Sequence, residues 1–370
     1  MKQNPLLPVL ACAVMLFSNC KENDVQVDAN PEKLSNQNSG QSLALASTFS
    51  NPVITAAQDA KDPQVFKAEG KFWLLHPGSA NNQVYQMYSS TDLVNWTAES
   101  DCFSVSNGSL WSAGSFQYTD ASNVKHYNIY YTRVIPSDSR KRTIGVASAT
   151  SPQGPYVRVS NPDLLTKVNG SGVYTPVIDP SVFKDPISGK VYMYYAQGVG
   201  APGNPTLRCV ELTSDGLNLV AGTDQQVLTI TQAWENINIE HPLVYYAPNA
   251  APAKRYYMLY NGSGGALARY AIGYAYSSSP TGPFTKAPEG TSPGENPIVK
   301  QNPSQGIYGP GSPNTVVDDA GIRWMIYRIK TTAGESWGER AICVDELFRN
   351  SSDQLICTPT KGTSQAAPTF

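Results

Sequence analysis

Charge is scarce in this 370-residue chain: Lys, Arg, Asp and Glu together make up 15% of it, and the formal net charge is −2. No Lys/Arg cluster suggests the basic footprint that a nucleic-acid partner requires, and a neutral or polar partner fits better. No Cys-x-x-Cys or His-x-x-x-His spacing occurs, which removes the common structural zinc sites. The apolar run Leu6 to Phe17 is too short to span a bilayer. Helical periodicity is nearly absent, and no linker-like interruption breaks the long stretch after residue 50. What is abundant is aromatic: 10% of the chain, with 21 Tyr. Flat amphipathic rings suit carbohydrate sites, but Tyr is also a good strand former, and composition leaves both readings open.

Lys2 followed by the short apolar run reads as a secretory signal. The run ends in Leu16-Phe17-Ser18-Asn19-Cys20, which resembles a lipoprotein signal whose Cys20 becomes the lipidated first residue; an ordinary signal with an incidental Cys is the alternative. From residue 21 to 50 the chain is rich in Asn, Gln, Ser, Asp and Glu, with no aromatic before Phe49, as in a disordered tether. The expected organisation is therefore a signal over 1–20, a tether over 21–50 and one domain over 51–370. Such a protein would be exported, held at the bacterial outer membrane on its periplasmic or cell-surface side only by its lipid, and act as a monomer. Beyond Cys12 and Cys20, four cysteines remain. An even number in an exported protein permits disulfides, with Cys343 and Cys357 best placed to pair; buried thiols are the alternative.

Five aromatic, β-favouring runs recur about every 55 to 65 residues: Lys71–Leu75, His126–Tyr131, Val191–Tyr195, Arg255–Tyr260 and Ile322–Tyr327. Each leads into a second strand and a turn. The turns at Ser151-Pro152-Gln153-Gly154-Pro155-Tyr156 and Ser279-Pro280-Thr281-Gly282-Pro283-Phe284 match closely, and Gly and Pro there serve tight connections. Repetition of this kind predicts an all-β, five-bladed β-propeller, with the segment before each aromatic run as the innermost strand of its blade.

Three of those inner segments carry a carboxylate. Lys61-Asp62-Pro63-Gln64-Val65-Phe66 is echoed by Ile178-Asp179-Pro180-Ser181-Val182-Phe183, and Asn238-Ile239-Glu240-His241-Pro242-Leu243 repeats the layout with Glu and a Pro two residues later. Taken as equivalent places in a repeat, the three acids converge on the axis, and converging carboxylates are what acid/base cleavage of a glycosidic bond requires. A turn-capping role is the alternative for any one acid, as at Asp185-Pro186, to which no chemistry is assigned.

On these motifs, from about Asn51 to the C-terminus, the chain resembles glycoside hydrolase family 43, the five-bladed propellers that include β-xylosidases, α-L-arabinofuranosidases, arabinanases and exo-galactanases. The resemblance implies an inverting mechanism with Asp62 as general base, Glu240 as general acid, and Asp179 tuning the acid and orienting substrate. An ionised Asp179 beside Glu240 would keep it protonated. Expected sugar contacts are Trp111 as an apolar floor, His241 next to the acid, and Arg340, which resembles an Arg near the end of family members. Two departures stand out. Trp111-Ser112-Ala113-Gly114 replaces the family's Trp-Ala-Pro-Asp, which alters the sugar pocket, and Gly309-Pro310-Gly311-Ser312 replaces Gly-Pro-Gly-His, whose His in relatives helps hold a calcium ion. Calcium wants several oxygen ligands, and none is recognisable as a cluster here; no cofactor is required and no metal residue is assigned, while a structural calcium in the channel stays open.

The expected partner is a plant or algal polysaccharide or oligosaccharide containing arabinose, xylose or galactose. A glycan-binding surface lipoprotein that captures without cutting is the competing class. A sialidase propeller is disfavoured by the absence of Ser-x-Asp-x-Gly-x-x-Trp boxes, and a fructan-hydrolysing one by Lys61-Asp62-Pro63-Gln64 in place of Asn-Asp-Pro-Asn-Gly.

Overall fold

The computed structural model describes residues 47–55, 59–78, 82–138, 140–159, 163–201 and 203–370. Cys20, the signal over 1–20 and most of the tether lie outside the described residues. Five four-stranded antiparallel sheets follow one another along the chain, the first with an extra short strand, and make the five blades of a β-propeller. Their inner strands are Gln64–Ala68, Ser109–Thr119, Val177–Lys184, Ile239–Tyr246 and Tyr308–Val317. The aromatic runs form the second strands: Lys71–Pro77, Lys125–Val134, Val191–Gln197, Tyr256–Gly262 and Arg323–Lys330. Among the described residues three stretches are 3-10 turns and the rest of the regular structure is strand.

These second strands are buried on both faces because each blade is sandwiched between two others. The core is accordingly split into five clusters, one in each gap between neighbouring blades. Tyr serves these gaps well, since its ring fills the apolar wedge while its hydroxyl reaches the far side. Tyr130 of blade two donates to the Gly216 carbonyl in a turn of blade three at 2.8 Å, and Tyr194 of blade three donates to the Pro280 carbonyl of the matched Ser-Pro turn in blade four at 2.5 Å. Much of the Tyr content is thereby blade packing.

The ring is closed by its ends. Thr48–Ser50, which fall within the stretch read as tether, pair antiparallel with Ser364–Ala366. The buried Asn51 side chain donates to the Val344 carbonyl (2.9 Å), Asp345 Oδ2 (3.0 Å) and Thr360 Oγ1 (3.0 Å), so the domain begins before residue 51. Of the two readings left open for the cysteines, the structure has the buried thiols: Cys102, Cys209, Cys343 and Cys357 are all free and buried. Cys343 and Cys357 lie in the same apolar gap between blades four and five and act as small core residues.

Candidate functional site

Four inner strands share one backbone device. Asp62 (φ 37°), Asp179 (57°), His241 (52°) and Ser312 (56°) each adopt the left-handed region directly before a Pro. A residue before Pro is normally extended, and the left-handed region costs a non-Gly residue about 1–3 kcal/mol, with Asp and His among those that tolerate it best. The sheet ladders slip at the same places, between Ile178 and Ser181, Glu240 and Leu243, and Gly311 and Asn314; blade two slips between Leu110 and Ala113. Such bulges re-aim side chains. The result is a central cleft lined by Asp62, Ser112, Asp179, His241 and Ser312, one from each blade, each with its C-terminal neighbour.

This register corrects the sequence alignment of the third acid. The blade-four residue equivalent to Asp62 and Asp179 is His241, not Glu240. Glu240 sits one position earlier, is 7% exposed, and does not line the central cleft. Its carboxylate instead accepts from the Tyr270 hydroxyl at Oε1 (2.6 Å) and from Asn238 Nδ2 at Oε2 (2.6 Å). The Arg142 guanidinium adds an electrostatic contact to both Glu240 and Asp179.

Asp62 is surrounded by donors and cations. Ser312 Oγ donates to its Oδ1 at 2.7 Å, Arg328 Nε approaches the same oxygen at 3.3 Å, and His241 Nε2 lies 3.9 Å away. Burial alone would raise its pKa, but the charges of His241, Arg328 and Arg340 and the Ser312 hydroxyl outweigh burial and hold the carboxyl far below the usual range. Arg328 is 1% exposed and is fixed by donating to the Gly309 and Gly265 carbonyls, both at 3.0 Å, with its guanidinium 4.8 Å from the centre of the Tyr270 ring. Since the single Ser312 proton goes to Asp62, Ser312 accepts from His241 Nε2 (3.3 Å), which places a proton on that nitrogen. Burial lowers the His241 pKa, with the carboxylates opposing.

Asp179 has the opposite balance. Ser112 donates a hydrogen bond to its Oδ1, and the His241 backbone N–H donates to Oδ2 at 3.3 Å. Burial, joined by the negative charge of Asp62, nonetheless raises its pKa to about 7. Glu240 is also raised, by burial first and by Asp179 second, against the lowering influence of His241, Tyr270 and Asn238. The sequence reading credits an ionised Asp179 with keeping Glu240 protonated; in the structure burial is the larger cause and Asp179 the smaller. One site thus holds an acid driven towards the anion and two driven towards the neutral form, the separation that acid/base chemistry needs.

The expected sugar contacts divide. His241 reaches the cleft. Trp111 does not line it: the indole packs against the core between blades three and four, with Arg142 4.7 Å over its ring. Arg340 lies 3.6 Å from Asp59, a residue outside the cleft lining, and acts on Asp62 through its charge. Sequence reasoning missed Arg142, Tyr270 and Arg328. The residues at the axis do not suit calcium, because Asp62 Oδ1 is already met by the Ser312 hydroxyl and a buried guanidinium. Among the described residues no group of three or more His, Cys, Asp or Glu could hold a metal.

The family profile of Glycosyl hydrolases family 43 matches residues 49–348. Among curated proteins, a β-D-galactofuranosidase (xynD) of Aspergillus niger is 23% identical over 319 residues, covering 83% of this chain and 84% of its own length. Among solved structures, a thermostable family-43 glycoside hydrolase superposes with a TM-score of 0.73 at 25% identity, covering 87% of this chain and 99% of its own. An endo-1,4-β-xylanase of Bacteroides thetaiotaomicron gives 0.66 at 19% identity, covering 87% and 100%.

Proposed function

Because this chain belongs to family 43 of the glycosyl hydrolases, we propose that it hydrolyses glycosidic bonds with inversion, Asp62 drawing a proton from the attacking water and Glu240 protonating the leaving oxygen. The observation that carries this reading is the opposed protonation of the two groups. Asp62 is driven towards the anion by the His241 ring, two guanidinium groups and a hydroxyl, while Glu240 is driven towards the neutral form chiefly by burial. A base must be anionic and an acid protonated in the same enzyme molecule, and inversion needs them separated by a water, at roughly 6.5–9.5 Å. The offset of Glu240 from the ring of equivalent positions supports that division, since it sets the acid apart from the cleft in which Asp62 and Asp179 lie. Asp179 would bridge them by tuning Glu240 and orienting the sugar, and His241 would contact the sugar from blade four.

The substrate we favour is an arabinose-, xylose- or galactose-containing plant or algal glycan. The Aspergillus niger relative is named for galactofuranose. β-D-Galactofuranose has the ring configuration of α-L-arabinofuranose with one further carbon, so one pocket can serve both. Export and anchoring through Cys20 would place the enzyme where such polymers are met.

The test is a panel of aryl glycosides and pectic, xylan and galactofuranosyl oligosaccharides, given to the protein lacking residues 1–20 and to Glu240→Gln. Hydrolysis with initial release of the inverted anomer, seen by NMR, and a loss in the variant of about 10²–10⁴-fold is expected. No hydrolysis across the panel, with glycan binding in both proteins, would replace the enzyme by a binding protein.

A further inference from the structure

Trp337 is a large apolar side chain left 63% exposed, on the loop between the second and third strands of blade five. Exposed single aromatics are common, but this one stands close to a site residue. A Cβ built on Gly265 would lie 2.9 Å from the Trp337 ring, 3.4 Å from Glu240 Oε1 and 3.4 Å from an Arg328 nitrogen. The indole and the buried carboxylate thus flank one glycine, and any side chain there would stand between them. The loop is also held in place. Lys330 Nζ donates to both Gly334 and Ala266 carbonyls, tying it to the blade-four loop that carries Gly265, and Arg269 pairs with Glu335 at 3.2 Å across the same two loops. The Arg340 guanidinium lies 5.2 Å from the ring centre.

We propose that Trp337 and Gly265 form the platform for the leaving-group sugar, whose apolar face stacks on the indole while its glycosidic oxygen meets Glu240. The inference rests on Glu240 being the acid: protonation happens at the bond to the departing sugar, so a ring beside that carboxyl lies on the leaving-group side. Gly265, having no side chain, lets the indole and the carboxyl come this close, so that one sugar can reach both. The platform would distinguish oligosaccharides by the sugar beyond the scissile bond, leaving recognition of the cleaved sugar to the axial cleft.

The experiment compares two substrates of the same glycone, an oligosaccharide and a glycosyl fluoride, whose fluoride leaves the platform empty. Trp337→Ala is expected to lower kcat/KM on the oligosaccharide about tenfold, as loss of one aromatic stack implies, chiefly through KM, and to leave the fluoride and the pH profile unchanged. Trp337→Phe should recover most of the loss, and Gly265→Ala should repeat it. Equal loss on both substrates would mean that Trp337 only supports Arg340, and no loss on either that the indole is idle; each overturns the platform while the glycosidase stands. If the unmutated protein cleaves neither substrate, the glycosidase reading fails and the platform fails with it.

Discussion

Asp179→Asn should stabilise the fold in alkaline relative to acid solution while damaging activity. Asp179 is 4% exposed and its pKa rises from 3.8 to about 7. A carboxyl whose folded pKa is raised contributes its stability below the unfolded pKa and loses it as pH climbs through the folded one, so the cost of ionising Asp179 accrues between about pH 4 and 7. Three units at 1.36 kcal/mol each amount to about 4 kcal/mol at pH 8, against about 0.5 kcal/mol at pH 4. Asn escapes that cost. It also loses one of the two acceptors that Ser112 and the His241 N–H use, worth about 1–3 kcal/mol at any pH. The difference between the two pH values isolates the titration: the variant should gain about 3.5 kcal/mol on the parent in going from pH 4 to 8, several degrees of Tm. Asp345, raised by burial to about 6, weakens both proteins alike and cancels. Denaturant melts of both proteins at the two pH values provide the assay. A variant destabilised by the same amount at pH 4 and pH 8 would refute the argument that Asp179 is buried against its charge.

The same charge is one of the supports of Glu240, so the basic limb of kcat/KM in Asp179→Asn should move to lower pH, read from a pH profile on an aryl glycoside. Arg328→Lys keeps a cation but loses the fork that reaches Asp62, Gly309 and Gly265; its acid limb should rise into the measurable range, whereas the parent keeps activity to low pH. Treatment with EDTA should leave activity and Tm unchanged, since a guanidinium and a hydroxyl already satisfy Asp62; a loss restored by calcium would show that the axis holds a metal.

How much of this was legible in sequence depends on the range over which each signal acts. The aromatic runs are local, and all five mark second strands. Asp62 and Asp179 announce themselves because both the acid and the Pro that re-aims it are adjacent in the chain. Glu240 misleads when it is aligned by its charge; aligned by its Pro, the blade-four element gives His241, a choice available in the sequence alone. Arg142, from the third strand of blade two, and Arg328, from the second strand of blade five, meet acids of other blades only once the ring is assembled, and Tyr270, in a connection of blade four, reaches Glu240 from 30 residues away; no local pattern encodes either. Trp111 is expected at the sugar because its neighbours resemble a family motif, yet the ladder slip beside it aims Ser112 inwards and leaves the indole to the blade gap.

The left-handed turn before each axial Pro acts as a filter on composition before any chemistry is selected. Only Gly, Asn, Asp, His and a few small polar residues occupy such a backbone cheaply, and that shortlist is nearly the set of groups able to move a proton or grip a hydroxyl. A propeller built this way is therefore biased towards reactive axes, and its substrate range can be redrawn by exchanging members of that shortlist, His241→Asn or Ser312→Asp, whereas a Val or Ile library at the same positions would be penalised on backbone grounds before reaching a substrate.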